Sequence, residues 1–372
     1  MRIIHIITDL DTGGAEMMLY KLLASLRDEP IESLVISLMG RGKITERIEE
    51  LGVRVERLDL EQGVRPSWGS IKKLKYFVRV FNPDVVQGWM YHGNIAAILA
   101  VFFSYSIFRK VKLLWNVRQT LYDINSEKPQ TCWLIVLGRW LSFFPQGIIY
   151  NSNLSAEQHC NAGYLSKKTK IIPNGFDLQK FCPDKNRRQQ LREELGVSES
   201  AILIGHISRL HPMKDHATLL RAIDRVVDSL SSTGGKQEVL FLLIGHGVTS
   251  ELSNNPAIHF LGERSDIPKI MSALDIVVSS SAWGEGFPNV IGEAMASEVP
   301  CVVTDVGDSA HIVGKYGQVC SVGDDQCIAS SLLQLIENKQ ERKTAGRQAR
   351  KRIKENYSMD KIKKEYLKEW GF

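Results

Sequence analysis

Short apolar runs alternate with amphipathic stretches along most of the chain. Residues 2–8, 33–38, 53–58, 84–87, 112–116, 147–150 and 170–172 are continuous enough to read as buried strands. Between them the apolar positions switch to helical spacing. Met18, Leu19, Leu22, Leu23 and Leu26 follow Gly-Gly-Ala-Glu, and Ile71, Leu74, Phe77 and Val78 precede Asn82-Pro83, which predicts the end of that helix. The alternation restarts after residue 175. Strand-like runs recur at 201–207, 239–244, 258–260, 275–279, 301–304 and 319–322, with helical patterns at 218–230 and 290–296. Strand–helix alternation predicts parallel sheets covered on both faces. Two such blocks predict an α/β protein of two Rossmann-like domains facing a central cleft. The first would span 1–172 and the second 173–356, joined near Pro173-Asn174-Gly175. The tail, 343–372, reads as one basic, proline-free helical run. It ends in Tyr366, Leu367, Trp370 and Phe372, aromatics that need a surface to dock on, so 357–372 is a candidate to cross back.

The composition fits this picture. In 372 residues, 44% hydrophobic and 24% charged, each domain can bury a core, which excludes disorder, collagen and coiled coil. The longest apolar stretch, 95–108, is too short for a membrane span. The amino terminus reads as a strand, and turns acidic too early for a signal peptide, so a cytoplasmic protein is expected. Cysteines at 132, 160, 182, 301, 320 and 327 form no C-x-x-C pair and have no histidine cluster beside them. Reduced thiols are expected, and neither a zinc site nor a disulfide framework.

Charge is uneven. Residues 1–175 carry 22 Lys and Arg against 16 Asp and Glu, whereas 176–372 carry 25 against 26. The basic half suits an anionic membrane or a phosphate-bearing substrate, or is a solvated surface; no nucleic-acid module accompanies it, so nucleic acid is not expected as a partner.

Three motifs carry candidate chemistry. Asp11-Thr12-Gly13-Gly14-Ala15-Glu16 lies between the first strand and a helix, where adjacent glycines admit an anion or simply make a tight turn. It is not G-x-G-x-x-G, which counts against a nicotinamide dinucleotide. Arg209 and Lys214 bracket a loop at the carboxyl end of a strand. Two cations there suit a diphosphate, or solvate the loop. In Glu285-Gly286-Phe287-Pro288-Asn289-Val290-Ile291-Gly292-Glu293 two glutamates stand eight apart across a helix start. Pro288 suits the first helical turn, and Glu293, in an otherwise apolar helix, needs a partner.

These residues resemble a retaining glycosyltransferase of family 4 with the two-Rossmann GT-B fold. The markers run through most of the chain: Gly-Gly-Ala-Glu at 13–16, Pro-Asn-Gly-Phe-Asp at 173–177, Ser-Arg-Leu and Lys-Asp within 208–215, Gly-His-Gly at 245–247, the two glutamates, and Pro-Cys-Val-Val-Thr-Asp-Val-Gly at 300–307. The resemblance implies that the second domain binds a nucleotide-sugar donor. Arg209 and Lys214 would hold the diphosphate, Glu293 the ribose, and Glu285 the donor sugar. The backbone of Gly286, Phe287, Pro288 and Asn289 would reach sugar and phosphate, and Gly14 would approach the diphosphate. His92 matches a histidine near the transferred sugar. Asn116, Arg118 and Asn174 fall on the acceptor side, where Arg118 could read an acceptor phosphate. The Gly-Phe-Pro-Asn form tilts the expectation toward UDP-sugars and bacterial surface polysaccharide.

The resemblance further implies retention by front-face attack, with cations and backbone dipoles replacing a metal. No metal or other cofactor is expected, since those cations and dipoles would serve in a metal's place, and Asp324-Asp325 reads as a turn. The acceptor would be a saccharide or a lipid-linked one, with the basic half on the inner face of the plasma membrane. Two alternatives stay open: a nucleotide-sugar 2-epimerase on the same fold, and a non-catalytic nucleotide-sugar binding subunit.

Overall fold

The computed structural model describes all residues except 12, 62–65, 105–110, 123–128 and 233–236, and omits the side chains of 103–104. The chain divides into two units, 1–175 with 359–372, and 176–358.

The first unit runs β1 (Arg2–Ile7), α1 (Gly14–Ser25), β2 (Glu32–Ser37), α2 (Thr45–Glu49), β3 (Arg54–Arg57), α3 (Trp68–Phe81), β4 (Val85–Trp89), α4 (Met90–Ser104), β5 (Lys112–Val117), α5 (Pro129–Leu141), β6 (Gly147–Tyr150), α6 (Asn153–Asn161) and β7 (Thr169–Ile171). Its strands form one parallel sheet, β3-β2-β1-β4-β5-β6-β7, with Ile4 level with Leu34 and Val86. The central strands are apolar without alternation because helices cover both faces. Leu19, Leu22 and Leu23 of α1 pack on one face, and Leu74, Phe77, Ala97 and Ile135 on the other. Asn82 ends α3 in the left-handed conformation, φ 53°, ahead of Pro83, as its sequence predicts.

The second unit runs α7 (Lys185–Glu194), β8 (Ile202–Ile207), α8 (His216–Ser232), β9 (Val239–Ile244), β10 (Ile258–Gly262), α9 (Ile267–Ala273), β11 (Ile276–Ser279), α10 (Asn289–Ala296), β12 (Cys301–Thr304), α11 (Ser309–Val313), β13 (Gln318–Cys320), α12 (Asp325–Glu337) and α13 (Lys339–Asn356). Its parallel sheet has the order β10-β9-β8-β11-β12-β13. Each sheet reverses its winding beside its first strand, β1 in one and β8 in the other, which is where open α/β sheets form a crevice at their carboxyl ends.

Three sequence expectations need correction. The tail is two helices, α13 and α14 (Met359–Trp370), because Tyr357 leaves the helix to bury its ring against Phe287 and its carbonyl accepts from the Phe176 amide at 2.9 Å. Cys320 and Cys327 are joined as a disulfide rather than held as thiols; the turn between β13 and α12 brings their Cα atoms to 5.7 Å. Asp324 and Asp325 begin α12. Asp324 caps the Cys327 amide, and Asp325 pairs with Arg221 and Arg225.

Candidate functional site

The second unit gathers most of the candidate donor-site residues around the carboxyl ends of β8 and β11. The loop 208–215 leaves β8 and is pinned to the loop after β9, with Ser208 N donating to Ile244 O at 2.9 Å and Leu210 N to His246 O at 2.8 Å. Gly245 allows that approach: a Cβ there would stand 1.9 Å from Ser208 O. Arg209 is exposed on the loop. Lys214 lies deeper and reaches across to Glu285, pairing Nζ with Oε1.

Glu285 is held from several sides. Ser281 Oγ donates to its Oε1 at 2.8 Å, Ser280 Oγ donates to Lys214 O at 2.8 Å, and Ala282 N donates to Met213 O at 2.8 Å. Thr304 Oγ1 at the end of β12 donates to Ser281 O at 2.6 Å. Gly307, at φ +61°, leaves room for the Glu285–Gly286 backbone; a Cβ there would lie 2.3 Å from Glu285 O. The result is one fastened pair of loops carrying a cation and a carboxylate.

α10 opens on this same loop. Pro288 is its N-cap, one residue earlier than its sequence suggests, and no side chain caps the first turn. The amino terminus of α10 therefore presents its positive end beside Glu285. Phe287 is buried, stacked on Phe176 with centroids 6.1 Å apart, so only its backbone can reach a ligand. Glu293 is half-buried on α10.

Beneath the loop lies a histidine pair that sequence reasoning missed. His206 Nδ1 is 3.0 Å from Val278 O and so carries the proton. Its Nε2 then accepts from Ser208 Oγ at 2.8 Å, and His216 Nε2, 3.3 Å from the same hydroxyl, must donate to it. Burial holds the His206 pKa down to about 3, and also lowers that of His216. Both rings are neutral at pH 7 and anchor the loop without adding charge.

In the first unit, Gly14 opens α1, and among the described residues beyond its chain neighbours none stands within 4 Å of where a Cβ would lie. Glu16 folds back over Gly13, its pKa raised by burial first and by Asp9 and Asp11 after it. His92 sits in the first turn of α4, its pKa lowered by burial against a smaller opposing pull from Asp9. β4 passes into α4 through Met90 at φ 59°, a left-handed conformation that a non-glycine residue adopts only when its surroundings enforce it. No glycine marks that position in the sequence.

Asn116, Arg118 and Asn174 come together, but around an internal partner. The guanidinium has five N–H groups. Nε and Nη2 donate to Asn174 Oδ1 at 3.1 and 2.6 Å, Nη1 to Asn116 Oδ1 at 3.1 Å and Tyr366 OH at 2.9 Å, and Nη2 to Ile172 O at 3.3 Å. Asn116 Nδ2 also donates to Tyr366 OH at 2.8 Å. These five contacts match its five N–H groups and leave none for an acceptor phosphate. Two surface cavities, about 550 Å³ at Arg2 and Arg27 and about 570 Å³ at Lys315 and Tyr316, are lined by none of the candidate residues.

Fold and loop geometry together define a two-domain α/β protein of the GT-B class. Residues 12–180 match Glycosyltransferase Family 4, and residues 201–338 match Glycosyl transferases group 1. The chain belongs to these glycosyltransferases. It is 28% identical, over 54% of its length and 53% of the relative's, to N-acetyl-alpha-D-glucosaminyl L-malate synthase of Bacillus anthracis. It is 24% identical to an N,N'-diacetylbacillosaminyl-diphospho-undecaprenol alpha-1,3-N-acetylgalactosaminyltransferase of Campylobacter jejuni, over 80% of this chain and 79% of that one. The chain spans about half the length of the first curated relatives it matches. Among solved structures, Anabaena Alr3699/HepE in complex with UDP and glucose superposes with a TM-score of 0.81 at 25% identity, covering 99% of both chains.

Proposed function

We propose that the protein transfers a sugar from a UDP-sugar to a saccharide or lipid-linked acceptor, with retention of anomeric configuration and without a metal ion. The observation that carries this reading is the pair of fastened loops in the second unit. Lys214 and Arg209 supply positive charge for a diphosphate, while Glu285 and the α10 backbone offer acceptors and donors to sugar hydroxyls. UDP with glucose in the Anabaena structure and the undecaprenol-diphosphate acceptor named for the Campylobacter relative support the two substrate classes. Glu293 is assigned to the ribose, Gly14 to the diphosphate and His92 to the transferred sugar.

In the step proposed, the bond from the anomeric carbon to the phosphate oxygen breaks as Lys214 and Arg209 take up the charge on UDP. The acceptor oxygen bonds to that carbon on the same face. Its proton passes to the departing phosphate oxygen, so no covalent enzyme intermediate is required.

The test is incubation with UDP-glucose, UDP-galactose and the two UDP-N-acetylhexosamines, each with an undecaprenol-diphosphate-linked sugar as acceptor, with UDP release followed by chromatography, and the anomer of the glycoside formed read by NMR. UDP release from one donor, unaffected by excess chelator and giving the donor's anomer, is expected. Interconversion of donors without UDP release would make the protein an epimerase. Binding with neither outcome would make it a binding subunit. Inversion, or rates restored by magnesium after chelation, would overturn the mechanism.

A further inference from the structure

The first unit carries a hydrophobic surface that its own core does not use. α3, α4 and α5 lie side by side over one face of the seven-stranded sheet and bury Leu74, Phe77, Ala97 and Ile135 against it. Their outer side is aromatic as well. Trp68 and Tyr76 on α3, Phe102 on α4, Trp133 and Trp140 on α5, and Phe143 just after it are each at least 60% exposed. On α5, positions 133, 136 and 140 recur at helical spacing, and all are exposed while Ile135 and Gly138 are buried. That helix is apolar on two sides and covered on one. Scattered surface hydrophobics are ordinary; large aromatics on three adjacent helices of one layer mark an interaction surface.

Charge says what fits it. α3, α4 and α5 contain no Asp or Glu. They carry Lys72, Lys73, Lys75, Arg79 and Arg139, and Lys168 adds a sixth cation at the rim. Arg139 lies 5.3 Å from the Trp140 ring centroid, and Lys168 Nζ 5.1 Å from that of Phe143, so cations and rings share one level. Lys73 is paired with Asp59 at 3.3 Å, but no helix of the face carries a carboxylate of its own, and Trp, Tyr and Phe interleaved with Lys and Arg in this way are the chemistry of a surface lying in the headgroup layer of an anionic bilayer. A second copy on the same face would, by two-fold symmetry, set these cations against themselves.

We propose that the α3–α4–α5 face docks on an anionic membrane, its aromatic rings at the headgroup–acyl boundary and Lys72, Lys75, Arg79 and Arg139 on lipid phosphates. The inference deepens the acceptor half of the function proposed above, because an enzyme held there meets a lipid-carried acceptor. None of the cations and aromatic residues named on this face is assigned to the donor; His92 lies in the first turn of α4, away from Phe102 near its end.

The full chain is tested against vesicles of phosphatidylcholine alone and of phosphatidylcholine with phosphatidylglycerol, by sedimentation and by quenching of tryptophan fluorescence with brominated acyl chains. Binding to the anionic vesicles only, falling steeply with salt, with quenched tryptophan, is expected. Lys72→Gln, Lys75→Gln and Arg79→Gln together should weaken binding about a hundredfold, at roughly 1 kcal/mol per charge. Trp133→Ser with Trp140→Ser should weaken it about tenfold or more and remove most of the quenching. UDP binding by calorimetry, retained in both variants, shows that they are folded. Vesicle binding without UDP binding in the unmodified chain would break the donor assignment and leave the docking face standing. Three results overturn the proposal: no sedimentation of the unmodified chain with anionic vesicles at low salt, variants that bind as it does, or a dimer that the tryptophan variants dissociate.

Discussion

Lys214 faces two claims on one charge: the Glu285 carboxylate it touches, and the diphosphate assigned to it. The pair is largely buried, with side chains 18% and 11% exposed, where solvent screens little. A phosphate drawing on Lys214 therefore competes with Glu285, and the two residues should respond oppositely. Lys214→Ala removes a charge-assisted hydrogen bond worth roughly 1.5–3 kcal/mol and should lower UDP affinity about tenfold or more. Glu285→Gln removes the competitor, and should raise UDP affinity a few-fold while turnover falls. Calorimetric titration with UDP checks both; affinity moving the same way in the two variants would break the coupling. Arg209, Lys214, Glu285 and Glu293 were legible in the sequence because local spacing places them at loops and a helix start. Ser280, Ser281, Thr304 and His206 were not. What fixes their relation to Lys214 and Glu285 is sheet packing between residues as far as 72 apart, as between His206 and Val278. Arg118 illustrates the converse. Its position suggested a ligand, yet its partner Tyr366 lies 248 residues away.

At the scale of elements, the thirteen strands among the described residues were visible because the central ones are unbroken apolar runs; the edge strands β3 and β7 lie more exposed than the buried runs expected there, and the ends agree to within a few residues. The break at residues 357–358 was not, since neither Pro nor Gly marks it and tertiary packing of Tyr357 makes it. α14 depends equally on packing. Its Tyr366 hydroxyl accepts from Asn116 and Arg118, and Trp370 Nε1 donates to Gln87 Oε1 at 2.7 Å. Tyr366→Phe keeps the ring and strands two buried donors, one of them charged. It should cost about 2 kcal/mol or more, lowering the melting temperature by roughly 4–8 °C. UDP affinity should change little, because Arg209, Lys214 and Glu293 lie in the second unit and Gly14 is the one residue assigned to UDP in the first. Thermal denaturation beside UDP titration reads both, and an unshifted melting temperature would show that water replaces the network at no cost.

Across the whole molecule, three buried histidines set a lower pH limit. Burial holds His5 and His206 near a pKa of about 3 and His159 near about 4, against 6.5 for an unburied ring. The folded chain therefore binds fewer protons than the unfolded one between those values and 6.5. Stability from these groups is full above pH 6.5 and is lost as pH falls toward 4, at up to about 1.4 kcal/mol per pH unit for each ring. Urea denaturation from pH 7.5 to 4.5 should show the midpoint falling only below about 6.5, and His206→Gln should flatten part of that slope. A midpoint independent of pH over that span would mean that the rings are charged in the fold.

The discontinuity of the first unit has a consequence for how the protein is made. Ile362, Tyr366 and Trp370 belong to the core around β1 and β4, together with residues from the opening of the chain. A ribosome delivers them only after 176–358 has emerged. The continuous second unit can then close as soon as it is made. β1, β4 and β5, synthesised earlier, must wait with Gln87, Asn116 and Trp89 lacking their α14 partners. The part translated first is the last to be finished, and a chain halted short of residue 359 leaves that half of the molecule open to proteases.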